Sequence, residues 1–485
     1  MTRKPFAATL LILSSLLLTS CSGPRSGGCT ANCNTGNATV SLVLTATPTA
    51  LASQLSIQAY TATITGITLT PTTGAAVNVA LTSGTYIAEF NRVTSDSTVL
   101  AAAASVPVGD YTQMTITFSA PRVTFCTQPN PGLPGCASNT LATVSGAAGS
   151  ATAPINLSLA ANQHAGLALN ANLGPTLTAN GQTITAVNLG TTNTFTVNTL
   201  PPAGTQTDLA AAQVSHVDDV MGLVTNVTSS SVTVQTSSRG SITATANSST
   251  QFDCSSQSIA CAQTNTAAII DTVLNSDGTF TLTFYEPLSF TSADIIEGVV
   301  TGVPNSVTNQ FTIAVTDSVF AASGSILKGQ VHLGDQVLVS LTSPDPFQIV
   351  SKGLFIPSGG LFLNSTSAAS ILPGQTVAFT ALSFTAQTGT GLGSASAKDL
   401  ALRFTRLSGQ ITSATTLVFS GDGTTLPPYF GLTTIQQFQT TSARLSVDGV
   451  SNLASLPVGN TFSTTALYLG TPASPQFASQ TVRAH

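Results

Sequence analysis

From Ala38 onward the chain repeats apolar residues at a period of two, with Thr or Ser between them. Thr39-Val40-Ser41-Leu42-Val43-Leu44, Tyr60-Thr61-Ala62-Thr63-Ile64-Thr65 and Met114-Thr115-Ile116-Thr117-Phe118 show it, as do Ser231-Val232-Thr233-Val234-Gln235-Thr236 and Phe280-Thr281-Leu282-Thr283-Phe284. That period fits a β-strand with one buried face and does not fit a helix. Threonine is β-branched and polar, so it suits the face turned to water. Turn signals separate the runs at Pro71-Thr72-Thr73-Gly74, Ser276-Asp277-Gly278 and Gly421-Asp422-Gly423. The expected fold is all-β: an N-terminal β-sandwich followed by two or three small β-barrel or sandwich modules. The one longer helix expected after the N-terminus lies near Thr207 to Val220, where Leu209, Val214, Val217 and Val220 share a face.

Charge is scarce. Only 6% of the 485 residues are Asp, Glu, Lys or Arg, against about 25% in an ordinary soluble protein. The balance of 13 bases and 18 acids leaves a net charge of −5. A nucleic-acid partner would need a basic stripe, so none is expected. Disorder is excluded by the supply of β-branched and apolar residues, 42% of the chain being hydrophobic. Edge strands with so little charge lack a common guard against aggregation, and low solubility is expected.

The N-terminus reads as an address. Arg3 and Lys4 precede an apolar run, Ala7 to Leu18, too short for an ordinary spanning helix of about 20 residues. Leu18-Thr19-Ser20-Cys21 resembles the bacterial lipobox. The resemblance implies cleavage of a signal peptide at residues 1–20, with lipid carried on Cys21 as the first mature residue. Several acyl chains anchor stably, whereas one binds only marginally. The plainer alternative is an ordinary secretory signal with a cysteine nearby. Ser22 in place of Asp fits delivery to the outer membrane under the common sorting rule. Residues 21–36 read as a flexible tether rich in Gly, Ser and Asn.

Setting Cys21 aside leaves six cysteines in three local pairs: Cys29 with Cys33, Cys126 with Cys136, and Cys254 with Cys261. In an oxidising envelope they read as disulfides. A metal site is disfavoured, because no C-x-x-C occurs and no histidine flanks the pairs.

Residues 37–200 are read as the sandwich, 201–216 as a linker, and 217–295, 296–405 and 406–485 as three β modules. Weak repetition supports duplication. Met221-Gly222-Leu223-Val224-Thr225-Asn226-Val227 resembles Glu297-Gly298-Val299-Val300-Thr301-Gly302-Val303, and Leu407-Ser408-Gly409-Gln410 offers a third start. A turn leading into a strand recurs as Leu333-Gly334-Asp335-Gln336-Val337, Leu372-Pro373-Gly374-Gln375-Thr376-Val377 and Leu456-Pro457-Val458-Gly459. The spacings are unequal, which argues against a solenoid.

The chain further resembles a family of uncharacterised bacterial envelope lipoproteins. The resemblance rests on Ala38–Leu44, Ile64-Thr65-Gly66-Ile67-Thr68-Leu69 and Val106-Pro107-Val108-Gly109-Asp110-Tyr111-Thr112-Gln113 in the first part. Val217-Asp218-Asp219-Val220-Met221-Gly222-Leu223-Val224-Thr225 and Thr250-Gln251-Phe252 carry it in the second. It implies an immunoglobulin- or prealbumin-like domain followed by small OB-like barrels. It brings no catalytic residues.

No H-E-x-x-H, P-loop, G-x-G-x-x-G or G-x-S-x-G motif occurs. His216 with Asp218 and Asp219 is the densest polar cluster and could hold a cation; a solvated linker or the N-terminal region of a helix is the plainer reading. Asp271, Asn275 and Asp277 lack calcium-loop spacing and read as a hairpin turn. The six tyrosines could stack on sugars, but no tryptophan is present. No catalytic residue, metal or cofactor is assigned. The expected role is a lipid-anchored, non-catalytic envelope protein, structural or binding, with a polysaccharide or envelope-protein partner. The alternatives are a secreted hydrolase of polymers and an envelope assembly component.

Overall fold

The computed structural model describes residues 36–484 apart from 48–55, 129–135, 137–140, 201–215, much of 411–460 and a few isolated positions. Residues 36–485 form one compact unit. The fold is all-β, as the alternation requires.

The N-terminal part is a sandwich of two sheets. One sheet runs in the order Phe195–Leu200, His164–Asn172, Asn37–Thr47, Thr98–Pro107. Its two central strands are parallel. The other runs Leu141–Ser145, Arg122–Cys126, Ser56–Pro71, Gly109–Phe118, Gly149–Leu159. Val40, Leu42 and Leu44 point into the space between the sheets, beside Tyr60, Ile116 and Phe125. The other face of the same strand is not solvated. Val43 packs with Val99 and Ala168 against Val217, Val220 and Ile270 of the next module.

That module is a closed five-stranded barrel. Its strands are His216–Val227, Ser231–Gln235, Ser241–Phe252, Ala267–Leu274 and Phe280–Pro287. They close in the order 1-2-3-5-4-1, with the third and fifth parallel. The expected helix is corrected here: residues 216–220 begin the first strand, while 207–215 lie outside the described residues. The spacing of three between Val217 and Val220 fits a helix face and not a regular strand; the register shift between them lets a strand turn both into one core.

A second barrel repeats the circuit with Ile295–Val300, Gln310–Val319, Gln336–Leu341, Thr376–Thr385 and Gly393–Arg403. Its third and fifth strands are again parallel. The two sequence repeats fall on the two first strands. A Cβ on Gly222 would lie 2.6 Å from the carbonyl oxygen of Gln235, and one on Gly298 2.7 Å from that of Ala314. Each glycine therefore lets its first strand lie against the second. The Leu372-Pro373-Gly374-Gln375 turn enters the fourth strand, with Gly374 at φ +86°.

The C-terminal strands form a further sheet. Thr405–Gln410 pairs with Thr461–Thr471, which pairs with Ser474–Ala484. The last strand receives Gln436–Thr440 and Ser446–Asp448 in parallel. Leu467 and Leu469 enter the second barrel's core, while Ala466 and Tyr468 join the sandwich's core. Met221, Leu223 and Ile269 of the first barrel share a further core with Ile295, Val319 and Ala401 of the second. Among the described residues no helix is long and apolar enough to cross a membrane.

Candidate functional site

The charge missing from the surface is inside. Among the described acids, lysines and arginines, only Asp110, Asp253, Asp277 and Lys328 are exposed. Asp96, Asp219, Asp271, Glu297 and Asp317 instead join Arg92, Arg239, Lys352, Arg403 and Arg406 in one connected set of ion pairs. All ten side chains are at least nine-tenths buried. The set joins all the described parts of the fold. Arg92 and Asp96 come from a one-turn helix of the sandwich, Arg92–Ser95, and its end. Asp219, Arg239 and Asp271 belong to the first barrel, Glu297, Asp317, Lys352 and Arg403 to the second, and Arg406 to the C-terminal strands.

Asp219 is the hub. The pairing of its strand skips between Val217 and Val220, and Asp219 sits in this bulge at φ +54°. Aspartate tolerates the left-handed region better than most residues, and a bulge re-aims its side chain. Arg403 Nη2 donates to Asp219 Oδ1 at 2.7 Å, and Arg406 Nη2 donates to Oδ2 at 2.7 Å. Arg92 donates to its carbonyl oxygen and, at 3.4 Å, to Oδ2. The Asp219 N–H donates to Asp271 Oδ1 at 2.7 Å, which also accepts from Lys352 Nζ at 2.6 Å. Arg403 Nε donates to Glu297 Oε2 at 2.9 Å. Arg92 Nη1 and Arg239 Nη2 both donate to Asp317 Oδ2.

The electrostatics follow from this packing. Burial alone would raise the Asp219 carboxyl, but Arg403, Lys352, Arg406 and Arg92 hold it well below the usual carboxylate range. Burial works against the Lys352 ammonium, yet Asp271 and Asp219 outweigh it and keep the amine charged. Glu89 lies beside the cluster, accepting from the N–H groups of Tyr60 and Arg92 at 2.8 and 2.7 Å. Burial raises it to about 7 in spite of those bonds. Glu286 is likewise raised to about 7, mainly by burial. A cavity of about 20 Å³, lined by Glu89, Asn91, Arg92 and Arg406, has room for a single water.

The outer faces are different. On the first barrel, Ser231 pairs with Thr245, Thr233 with Thr243, and Gln235 with Ser241. These side chains are exposed or half-buried, and none is charged. On the second barrel an open groove of about 600 Å³ is lined by Thr291, Asp345, Phe347, Leu363, Lys398 and Asp399.

The sequence candidates fall out as follows. Cys126 and Cys136 are joined, S–S 1.90 Å, and so are Cys254 and Cys261, S–S 2.28 Å. Cys21, Cys29 and Cys33 lie outside the described residues. Asp219 is not part of a solvated linker but the buried hub. His216 opens the first barrel's first strand. Asp277 does form a hairpin turn, its Oδ1 accepting from the N–H and Oγ1 of Thr279, whereas Asp271 belongs to the cluster. Tyr60, Tyr86, Tyr111, Tyr285 and Tyr468 are buried; Tyr429 is outside the described residues. No group of three or more His, Cys, Asp or Glu among the described residues is placed to hold a metal. The ten-residue cluster was not read from sequence. Its available signal was a charge inside an apolar run, as in Ile269-Ile270-Asp271, Ile295-Ile296-Glu297 and Leu402-Arg403-Phe404, since charged residues are almost never fully buried unless paired.

Compared with known proteins, the chain matches no protein-family model, and no curated protein matches it significantly in sequence.

Proposed function

We propose that this is a lipid-anchored, non-catalytic protein of the cell envelope, held by lipid on Cys21, whose work is to present a rigid, nearly uncharged surface to a neutral polymer. The observation that carries this reading is the placement of charge. Ten of the charged groups that acid–base chemistry would draw on are consumed in buried pairs. What the outer faces chiefly offer is hydroxyl and amide, which can hydrogen-bond polysaccharide hydroxyls without selecting for charge. Membership of the envelope-lipoprotein family belongs to the same reading, supported by the order of sandwich and then five-stranded barrels.

The test is retention of the purified protein on insoluble neutral polysaccharides and on whole envelope polymer. Retention that resists high salt is the expected result, because no ion pair is exchanged. Failure to bind any envelope or extracellular polymer would remove the binding role and leave a structural one.

A further inference from the structure

We propose that the groove on the second barrel binds a neutral oligosaccharide. This rests on the reading of the protein as a polymer binder and gives that reading a place. The groove's volume of about 600 Å³ falls in the range of small-molecule sites, about 300–1,000 Å³.

Its floor is apolar. Phe347 is buried, with its ring centroid 5.1 Å from that of Phe362. Leu363 lines the groove and is 44% exposed. Together they offer a shelf to the C–H face of a pyranose ring. The polar groups are prepared in advance. The register of the last two strands shifts between Ala378 and Thr380, and Asp399 stands opposite this shift at φ +54°. Its Oδ2 accepts from the Thr291 N–H at 2.7 Å, Thr291 Oγ1 at 2.6 Å and Thr380 Oγ1 at 3.0 Å. All three bonds converge on one oxygen and lock the carboxylate, leaving Oδ1 to accept a ligand hydroxyl. Lys398 Nζ lies 3.6 Å from Asp345 Oδ2. That buried oxygen takes no hydrogen bond among the described residues, so Lys398 is its charge partner at the groove. Gln348 and Asn364 add exposed amides.

The charge balance chooses the class of sugar. One lysine faces two aspartates, so the groove repels acidic sugars and phosphates, while uncharged hydroxyls can use both signs. Three charged groups, Asp345, Lys398 and Asp399, line this one groove.

The experiment is calorimetric titration of the full chain in detergent with cellohexaose, laminarihexaose and chitohexaose, with an oligogalacturonate as the acidic counterpart. At least one neutral hexaose should bind and the acidic one should not. Lys398→Ala and Leu363→Ala should each weaken binding about tenfold or more, and thermal midpoints should hold because neither side chain is fully buried. Lys328→Ala, at an exposed lysine outside the groove, should leave binding unchanged. Neutral-sugar binding that survives both groove substitutions would refute the groove and leave polymer binding standing. Preference for the galacturonate would overturn the ligand class. Loss of all binding, to hexaoses and to envelope polymer alike, would overturn both readings.

Discussion

Arg403 Nη2 lies 2.7 Å from Asp219 Oδ1, so the last strand of the second barrel is held to the first strand of the first barrel by a fully buried ion pair. The same arginine bonds Glu297 through Nε, and the same aspartate meets Arg92 and Arg406 from two other parts of the chain. Two charges taken out of water gain little net stability as a pair, but removing one partner strands the other.

Asp219→Asn should therefore destabilise the protein by about 3–5 kcal/mol, the usual cost of breaking a buried pair. Asp277→Asn, at an exposed hairpin turn, should leave the midpoint nearly unchanged. Urea midpoints of the two variants measure the difference.

Stability should fall as pH rises toward neutrality. Glu89 has an ordinary value of 4.5 and is raised to about 7 in the fold by burial. The folded state thus holds a proton that the unfolded state releases. The stabilisation is complete below about pH 4.5 and lost through pH 7, amounting to roughly 3 kcal/mol for this one group. Glu286 acts in the same direction. Asp219, depressed in the fold, opposes it only below its ordinary value of 3.8. Thermal midpoints measured from pH 4 to 9 should peak on the acid side of neutral, and Glu89→Gln should flatten the decline.

Cys21→Ser should abolish incorporation of labelled palmitate and release the protein from the membrane fraction. Unchanged labelling would place the lipid elsewhere.

The strands were legible because their signal is local. The alternation at 39–44, 60–65, 114–118, 231–235 and 280–284 falls within observed strands, and Asp277-Gly278 turns where its residue types demand. Burial of both faces was not legible. Val43 looks like the outward member of its strand, and only the docking of the first barrel covers it. The charge cluster was hidden for the same reason. Arg92 and Asp317 are 225 residues apart in sequence, and no local pattern announces such a meeting. The repeated Gly222 and Gly298 were visible as similar strings, but their common cause, a close second strand, needed coordinates.

The central claim is that the cluster binds sandwich and barrels into one body, and equilibrium unfolding of the full chain in guanidinium tests it most directly. Tyrosine fluorescence and far-UV circular dichroism should trace one coincident transition, the mark of a cooperative unit. Asp219→Asn should lower its midpoint and split it, as the modules come apart separately. Separate transitions in the unaltered protein, with midpoints that Asp219→Asn leaves unmoved, would contradict the account.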